Sequence, residues 1–333
     1  MKNIDNISVF EEVYVPAREI IRSQNLIIDH FSTNDFAYFH GIFANKNREN
    51  GGHFFKELIL TEDLSHKIDP EEARKNQLET YEKLSKLKKN QWKDHTYTAD
   101  NRHTPRIHAK GFGWMQLGRQ ARNKMFEGYY QADLKSSQMS ILVSYLGINE
   151  FIDFYKSDKS LWDYLAKETG YSKSELKQKA KQIIYGIPFG MRKPELERRT
   201  KYLSIEKILE VDLLKTLVNR RDEEYIIIEE QANKNKGIYT DVLSSKHIYT
   251  NKPKPDQYIS KNILACIIQS IEFQIMSVNA NLFEDINITA WIHDGIIYEH
   301  NFLDDLMQKN VKEKALSILP RKPIYTSLEF TKL

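Results

Sequence analysis

Residues 288–300, ITAWIHDGIIYEH, constrain the fold more than any other stretch. Two apolar, β-prone runs flank His293-Asp294-Gly295. Asp-Gly between such runs is a strong hairpin signal, because both residues tolerate positive φ. The segment therefore predicts an antiparallel hairpin over 288–299, with an imidazole and an acid at its tip. An acid set among isoleucines is costly unless something pairs with it. The tip is either a plain turn or a site, and the rest of the chain has to decide which.

The charge balance of 49 Lys+Arg against 46 Asp+Glu leaves only +3, so the whole-molecule field is weak. Any nucleic acid must then be held by local basic stripes. At 333 residues the chain suits one large or two modest domains. The single cysteine, Cys266, excludes an internal disulfide and a Cys-cluster zinc site. Its setting, NILACIIQSIEF, reads as that of a packing thiol. MKNIDNISVFEE lacks an apolar leader core, and no run reads as long enough to span a bilayer, so a cytoplasmic protein without a membrane partner is expected.

Along the chain, 1–68 mixes short β-prone and helical pieces without a readable motif. Residues 69–92 open on Asp-Pro-Glu-Glu, continue in helix formers and close on cationic KLKK, a helix with a solvated charged face. Residues 100–130 interleave Arg102, Arg106, Lys110, Arg119, Arg122 and Lys124 with Phe112, Trp114, Phe126, Tyr129 and Tyr130. Such mixtures suit phosphate contact and base stacking. YYQAD reads as a strand ending at Asp133, with Ser136 or Ser137 capping a following helix that Gly147 stops. Segments 173–185, 205–219 and 259–283 are helical by periodicity, the last apolar enough to be buried. TDVLSSKHIYTNKPKPDQY reads as a loop. Helices with a few antiparallel strands in this order indicate an α+β fold.

Asp133 at a strand end and Asp294 at a hairpin tip together offer a cradle for Mg²⁺. That ion takes one or two protein carboxylates and completes its shell with water and substrate phosphate. Paired ions about 3.5–4 Å apart stabilise both the attacking and the leaving oxygen of a phosphoryl displacement. Lys173, Lys177 and Lys181, spaced by four, share a helical face that could hold a triphosphate, and Tyr185 could stack beneath a base.

Three segments in order resemble the motifs of family A DNA polymerases and, by extension, single-subunit phage-type RNA polymerases. ADLKSSQMSIL is similar to motif A, with Asp133 as a metal-binding aspartate. KSELKQKAKQIIYG is similar to motif B, whose basic-x3-Lys-x7-Tyr-Gly spacing falls on Lys173, Lys177, Tyr185 and Gly186. WIHDGIIYE is similar to motif C, with Asp294 as the second metal-binding aspartate after His293. Gln269 resembles the glutamine that touches the primer–template minor groove, and Arg106 the upstream arginine that follows the primer end.

The resemblance covers about 106–299. It implies a right-hand palm with an antiparallel sheet, helical fingers and a reduced N-terminal thumb. Residues 1–100 would form the thumb-like region and 101–333 the palm and fingers, with the fingers at about 150–255. It further implies DNA-templated addition of dNTPs to a primer 3′-OH with two Mg²⁺ ions, for which Mn²⁺ is a substitute. Asp133, Asp294 and Lys177 would carry the chemistry. Lys173, Lys177, Tyr185 and Gln138 would bind the nucleotide, and Arg106, Gln269 and His293 the primer–template.

Only some 130 residues precede Asp133, and none carries a clear Asp-x-Glu exonuclease signature. The chain thus resembles compact polymerases of phages and mobile elements, some of which act with a small accessory protein, beside a helicase, or as primases. Three positions depart from the family. Gln138 stands where DNA polymerases usually carry the glutamate that excludes the ribose 2′-OH. Lys173 replaces an arginine, losing a bidentate phosphate fork. Gly295 replaces the less essential acid after Asp294.

Other classes have to be weighed. His293-Asp294 could belong to an HD-type phosphohydrolase, but such enzymes place the pair on a helix with further His and Asp ligands on neighbouring helices, and the flanking Ile, Thr, Trp and Tyr here indicate strands. A polymerase-like module that holds primed DNA without extending it is opposed by the intact Asp133, Asp294, Lys177 and Tyr185. An RNA-synthesising or priming enzyme of the same fold turns on Gln138.

Overall fold

The computed structural model describes residues 22–30, 37–64, 69–88, 96–99, 107–110, 117–157, 160–177, 181–187, 189–191, 193–200, 203–241, 246–250, 259–282, 288–292, 295–319 and 321–333.

The N-terminal part is helical: α1 (22–30), α2 (Ala37–Glu49), α3 (Phe54–Thr61) and α4 (Pro70–Lys86). Helix α4 starts where the sequence places it. Asp69 accepts from the Glu72 backbone N–H at 2.9 Å, and Pro70 needs no donor at the first turn. From α4, Arg74 caps the C-terminal end of α3, donating to the carbonyls of Ile59, Leu60 (2.7 Å) and Glu62 (2.8 Å). A cation there meets carbonyls that have no helical partner. A two-stranded hairpin, β1 (Thr96–Ala99) and β2 (Ile107–Lys110), follows, then α5 (Arg119–Met125), which packs on α2 and α3.

At the centre lies a four-stranded, wholly antiparallel sheet. Its strands are β3 (Tyr130–Leu134), then far along the chain β6 (Ile288–Ile292), β7 (Gly295–Tyr298) and β8 (Leu328–Lys332), in the order β6-β7-β3-β8. The hairpin expected over 288–299 is therefore the β6–β7 pair. Asp133 pairs in register with Gly295 on one side and Glu329 on the other. Because side chains alternate along a strand, these three positions share one face with Gln131, Ile297 and Thr331. Ala132, Leu134, Ile296, Tyr298 and Leu328 turn the other way, into the core.

Between β3 and β6 come α6 (Ser137–Tyr145), α7 (Asn149–Lys156), α8 (Leu161–Thr169), α9 (Lys173–Glu175), α10 (Lys181–Gly186), α11 (Lys193–Thr200), α12 (Ile205–Leu209) and α13 (Asp212–Lys234). A small hairpin, β4 (Ile238–Thr240) and β5 (Lys246–Ile248), and the core helix α14 (Ser260–Ser277) complete the span. Helix α15 (Asp304–Ser317) then leads to β8. The loop expected over TDVLSSKHIYTNKPKPDQY is corrected in part by β5, whose three residues pair with β4 beside α13. Helix α13 also runs well past residue 219, carried by charged helix formers that keep a solvated face.

Helix α14 is apolar on nearly all sides and is packed by α6, α13 and α15. With the turn after it, the stretch is long and apolar enough to cross a membrane, contrary to the sequence reading, but 83% of its apolar 18-residue window is buried inside the protein. It is a core helix. Cys266 lies on it, and burial pushes its thiol up to about 12, as suits a packing group.

Serines 137, 140 and 144 form a buried polar stripe on the largely apolar α6. Ser137 Oγ donates to the fully buried Glu272 on α14 at 2.6 Å. Ser140 Oγ bonds Thr326 Oγ1 at 3.2 Å, and Ser144 Oγ accepts from the Tyr325 backbone at 3.1 Å. Those two contacts, with Gln308 Oε1 accepting from Leu328 N–H at 2.7 Å, fix the register in which β8 meets β3.

Candidate active site

Asp133 opens into a cleft of about 740 Å³. The sheet contributes Gln131, Asp133, Ile292, Ile297 and Glu329 to it. Helix α5 adds Arg119, Arg122 and Asn123; the β3–α6 junction adds Ser136, Ser137 and Gln138; Trp162, Lys177 and Tyr185 close the far wall. Of the residues singled out from sequence, the cleft brings together Asp133, Gln138, Lys177 and Tyr185.

The Asp133 carboxylate is held from two sides. Gln131 Nε2 donates to its Oδ2 at 2.5 Å. Its Oδ1 leans over Gly295: a Cβ placed there would lie 1.8 Å from that oxygen and 3.1 Å from the Ala132 carbonyl. Gly295 does not have positive φ; it is a strand residue paired with Ile292 and Asp133. The turn-chemistry reading of Asp-Gly is corrected here. The glycine answers to close approach of the Asp133 carboxylate.

The strand-to-helix turn also departs from expectation. Ser136 stands at the cap position with φ 49°, and its side chain makes no capping bond. Left-handed backbone at a non-glycine residue costs about 1–3 kcal/mol, and it concentrates at functional sites. A side-chain hydrogen bond joins Ser136 to Tyr155, whose hydroxyl burial keeps protonated.

Arg122 is largely buried. Burial pushes its guanidinium down from the ordinary value and Arg119 adds repulsion, while Glu62 and Asp133 pull it back up. It stays charged, so the wall beside Asp133 is cationic. Sequence reasoning marked both arginines only as part of a loose stripe. Within that stripe Lys124 pairs with Glu127 at 2.6 Å, and Phe126 is fully buried, so Phe126 is a core residue and not a stacking platform. Trp162, Gln131 and Glu329 were not singled out; Trp162 and Glu329 reach the cleft only through tertiary folding.

Helix α9 begins with a capping box, Ser172 with Glu175, and passes into a π-type turn at 176–177. The spacing-of-four argument therefore does not run unbroken from Lys173 to Lys177. Lys173 is turned to Asp163 at 2.7 Å, an exposed pair of the weakly held kind. Gln269 lies half-buried on α14 and is not part of the cleft lining. Arg106, His293 and Asp294 lie outside the described residues, as do the side chain of Lys181 and residues Arg102, Phe112 and Trp114.

No family model and no curated protein matches the sequence. Among solved structures, the chain is similar to the POL domain of Pol1 from M. smegmatis, in complex with DNA primer-template and dNTP, at TM-score 0.54 and 15% identity. The fold is that of a DNA polymerase domain. The likeness covers 87% of this chain but only 55% of that one, so the chain spans about half the length of its neighbour. On this polymerase fold the cleft combines one anchored carboxylate, a cationic wall and two aromatic side chains.

Proposed function

We propose that the chain is a template-directed DNA polymerase of the family A type that adds dNTPs to a primer 3′-OH. The observation that carries this reading is Asp133, held at the end of a central strand against a cleft walled by Arg119, Arg122 and Lys177, on a polymerase fold. The neighbour's complex with primer-template and dNTP supports DNA and nucleotide as partners. Two Mg²⁺ ions, or Mn²⁺ in their place, would be held by Asp133 and Asp294. Asp133 fits that role, since it offers hard oxygen donors from a cradle that any Cβ at 295 would fill. Bound there, the ions would activate the attacking hydroxyl and neutralise charge on the leaving oxygen.

In this reading Lys177 holds the triphosphate and delivers a proton to the departing pyrophosphate. Lys173 joins it by exchanging Asp163 for phosphate. Tyr185 and Gln138 check base and sugar; Arg106, Gln269 and His293 align the primer end. The sheet forms the palm, about 150–255 the fingers, and 1–100 a thumb-like region. We also assign the chain to a compact phage or mobile-element polymerase, cytoplasmic, working with a helicase and a small accessory protein.

Extension of a primed template with dNTPs and Mg²⁺ tests the reading directly: no metal-dependent product would sink it. Lys177→Ala is expected to raise the KM for dNTP and to lower kcat by about 10²-fold, the usual size of a general-acid contribution. Unchanged steady-state constants would remove Lys177 from the mechanism.

Gln138 favours one second reading, RNA synthesis or priming with the same fold, since it lines the cleft where a sugar-selecting glutamate is usual. Gln138→Glu is expected to raise the dNTP/rNTP preference about tenfold, about 1.4 kcal/mol of discrimination. An unchanged ratio would place sugar selection elsewhere.

A further inference from the structure

Position 295 carries no acid, and a side chain there would displace the Asp133 carboxylate, which occupies the space of its Cβ. The opposite neighbour of Asp133 does carry an acid. Glu329 on β8 pairs with Asp133 in register, and directly opposite residues have Cβ atoms only about 4.5–5.5 Å apart on the same face. Leu328 beside it is buried in the core, so alternation sends Glu329 outward, where it lines the cleft.

Two like charges directly opposite in a ladder repel, so the arrangement is unfavourable unless a cation lies between them. Among the described residues the Glu329 side chain makes no hydrogen bond and no ion pair, although Arg119, Arg122 and Lys177 line the same cleft. Its position is also specified from behind, because the α6 serine contacts at Tyr325 and Thr326 and the Gln308 bond to Leu328 fix the register of β8.

We infer that Glu329 is a further carboxylate of the divalent-cation site, supplied by the C-terminal strand in place of the acid that Gly295 lacks. The inference rests on the polymerase reading above, since that reading is what places a cation at Asp133.

The test uses the full chain and Mn²⁺ alone, with free Mn²⁺ counted by electron paramagnetic resonance, for wild type, Glu329→Gln, Glu329→Asp and Asp133→Asn. Glu329→Gln should weaken Mn²⁺ binding by about tenfold or more, the usual loss on removing a supporting ligand, and Glu329→Asp should recover part of it. The Mg²⁺ concentration for half-maximal primer extension should rise in parallel, while the KM for dNTP at saturating metal stays unchanged. Wild-type Mn²⁺ affinity in Glu329→Gln would overturn the inference. If Asp133→Asn still abolishes Mn²⁺ binding and extension in that case, the polymerase reading stands alone. Full extension by Asp133→Asn would overturn both.

Discussion

If the chain extends primers as proposed, replacing Asp133 with alanine is expected to lower extension by about 10³-fold or more, about 4 kcal/mol of transition-state stabilisation at 1.36 kcal/mol per decade. The loss is large because no described residue duplicates this carboxylate: Gly295 offers no side chain and Glu329 stands one strand further out. Folding should suffer far less. Asp133 is only partly buried, and its removal costs the Gln131 bond and one of the two acids that compensate Arg122, with Glu62 remaining. Asp133→Asn separates charge from shape, because an asparagine oxygen can still accept from Gln131. Both variants should therefore melt within a few degrees of wild type while losing comparable activity. Extension by either variant within tenfold of wild type would remove Asp133 from the chemistry.

The parts of this site that were legible in the sequence are those coded locally. The start of α4 was readable because Asp69, Pro70 and Glu72 act within one turn, and the bond they imply is present. The place of Asp133 near a strand end was readable because a strand and a helix abut it within five residues either way. The β6–β7 hairpin was readable from its apolar runs, whereas the reason for its glycine was not. Gly295 answers to a carboxylate on β3, and a single-segment rule assigned it to the turn instead. Ser136 was misjudged as a capping side chain because propensity does not report that the two-residue connection forces φ to 49°. Strands β4 and β5 escaped notice because three-residue strands in a polar, proline-bearing stretch owe their pairing to packing on α13. Glu329 lies furthest from sequence logic. Its meaning is a register, and the register is set by serines on α6 and a glutamine on α15.

Gly295→Ala is the sharpest single test of how the sheet shapes the site. Elsewhere in a strand, alanine for glycine would add roughly 0.5–1 kcal/mol by restricting the unfolded chain. Here the added carbon meets two obstacles of different kinds. The first is the Asp133 Oδ1 at 1.8 Å, the end of a side chain, which can swing away at little cost in stability but not in function. The second is the Ala132 carbonyl at 3.1 Å, backbone that can yield only if β3 and β7 part slightly. Overpacking of this order costs about 1–3 kcal/mol, so the variant should be destabilised slightly, against the usual sign. Extension should fall about 10²-fold, since the displaced carboxylate loses both its cradle and its bond to Gln131. Gly295→Glu, which places there the acid usual in family A DNA polymerases, should be worse, because its larger side chain starts from the same clash. Recovery of activity in Gly295→Glu, or a stabilised and fully active Gly295→Ala, would show that the close approach of Asp133 to β7 is not what this site depends on.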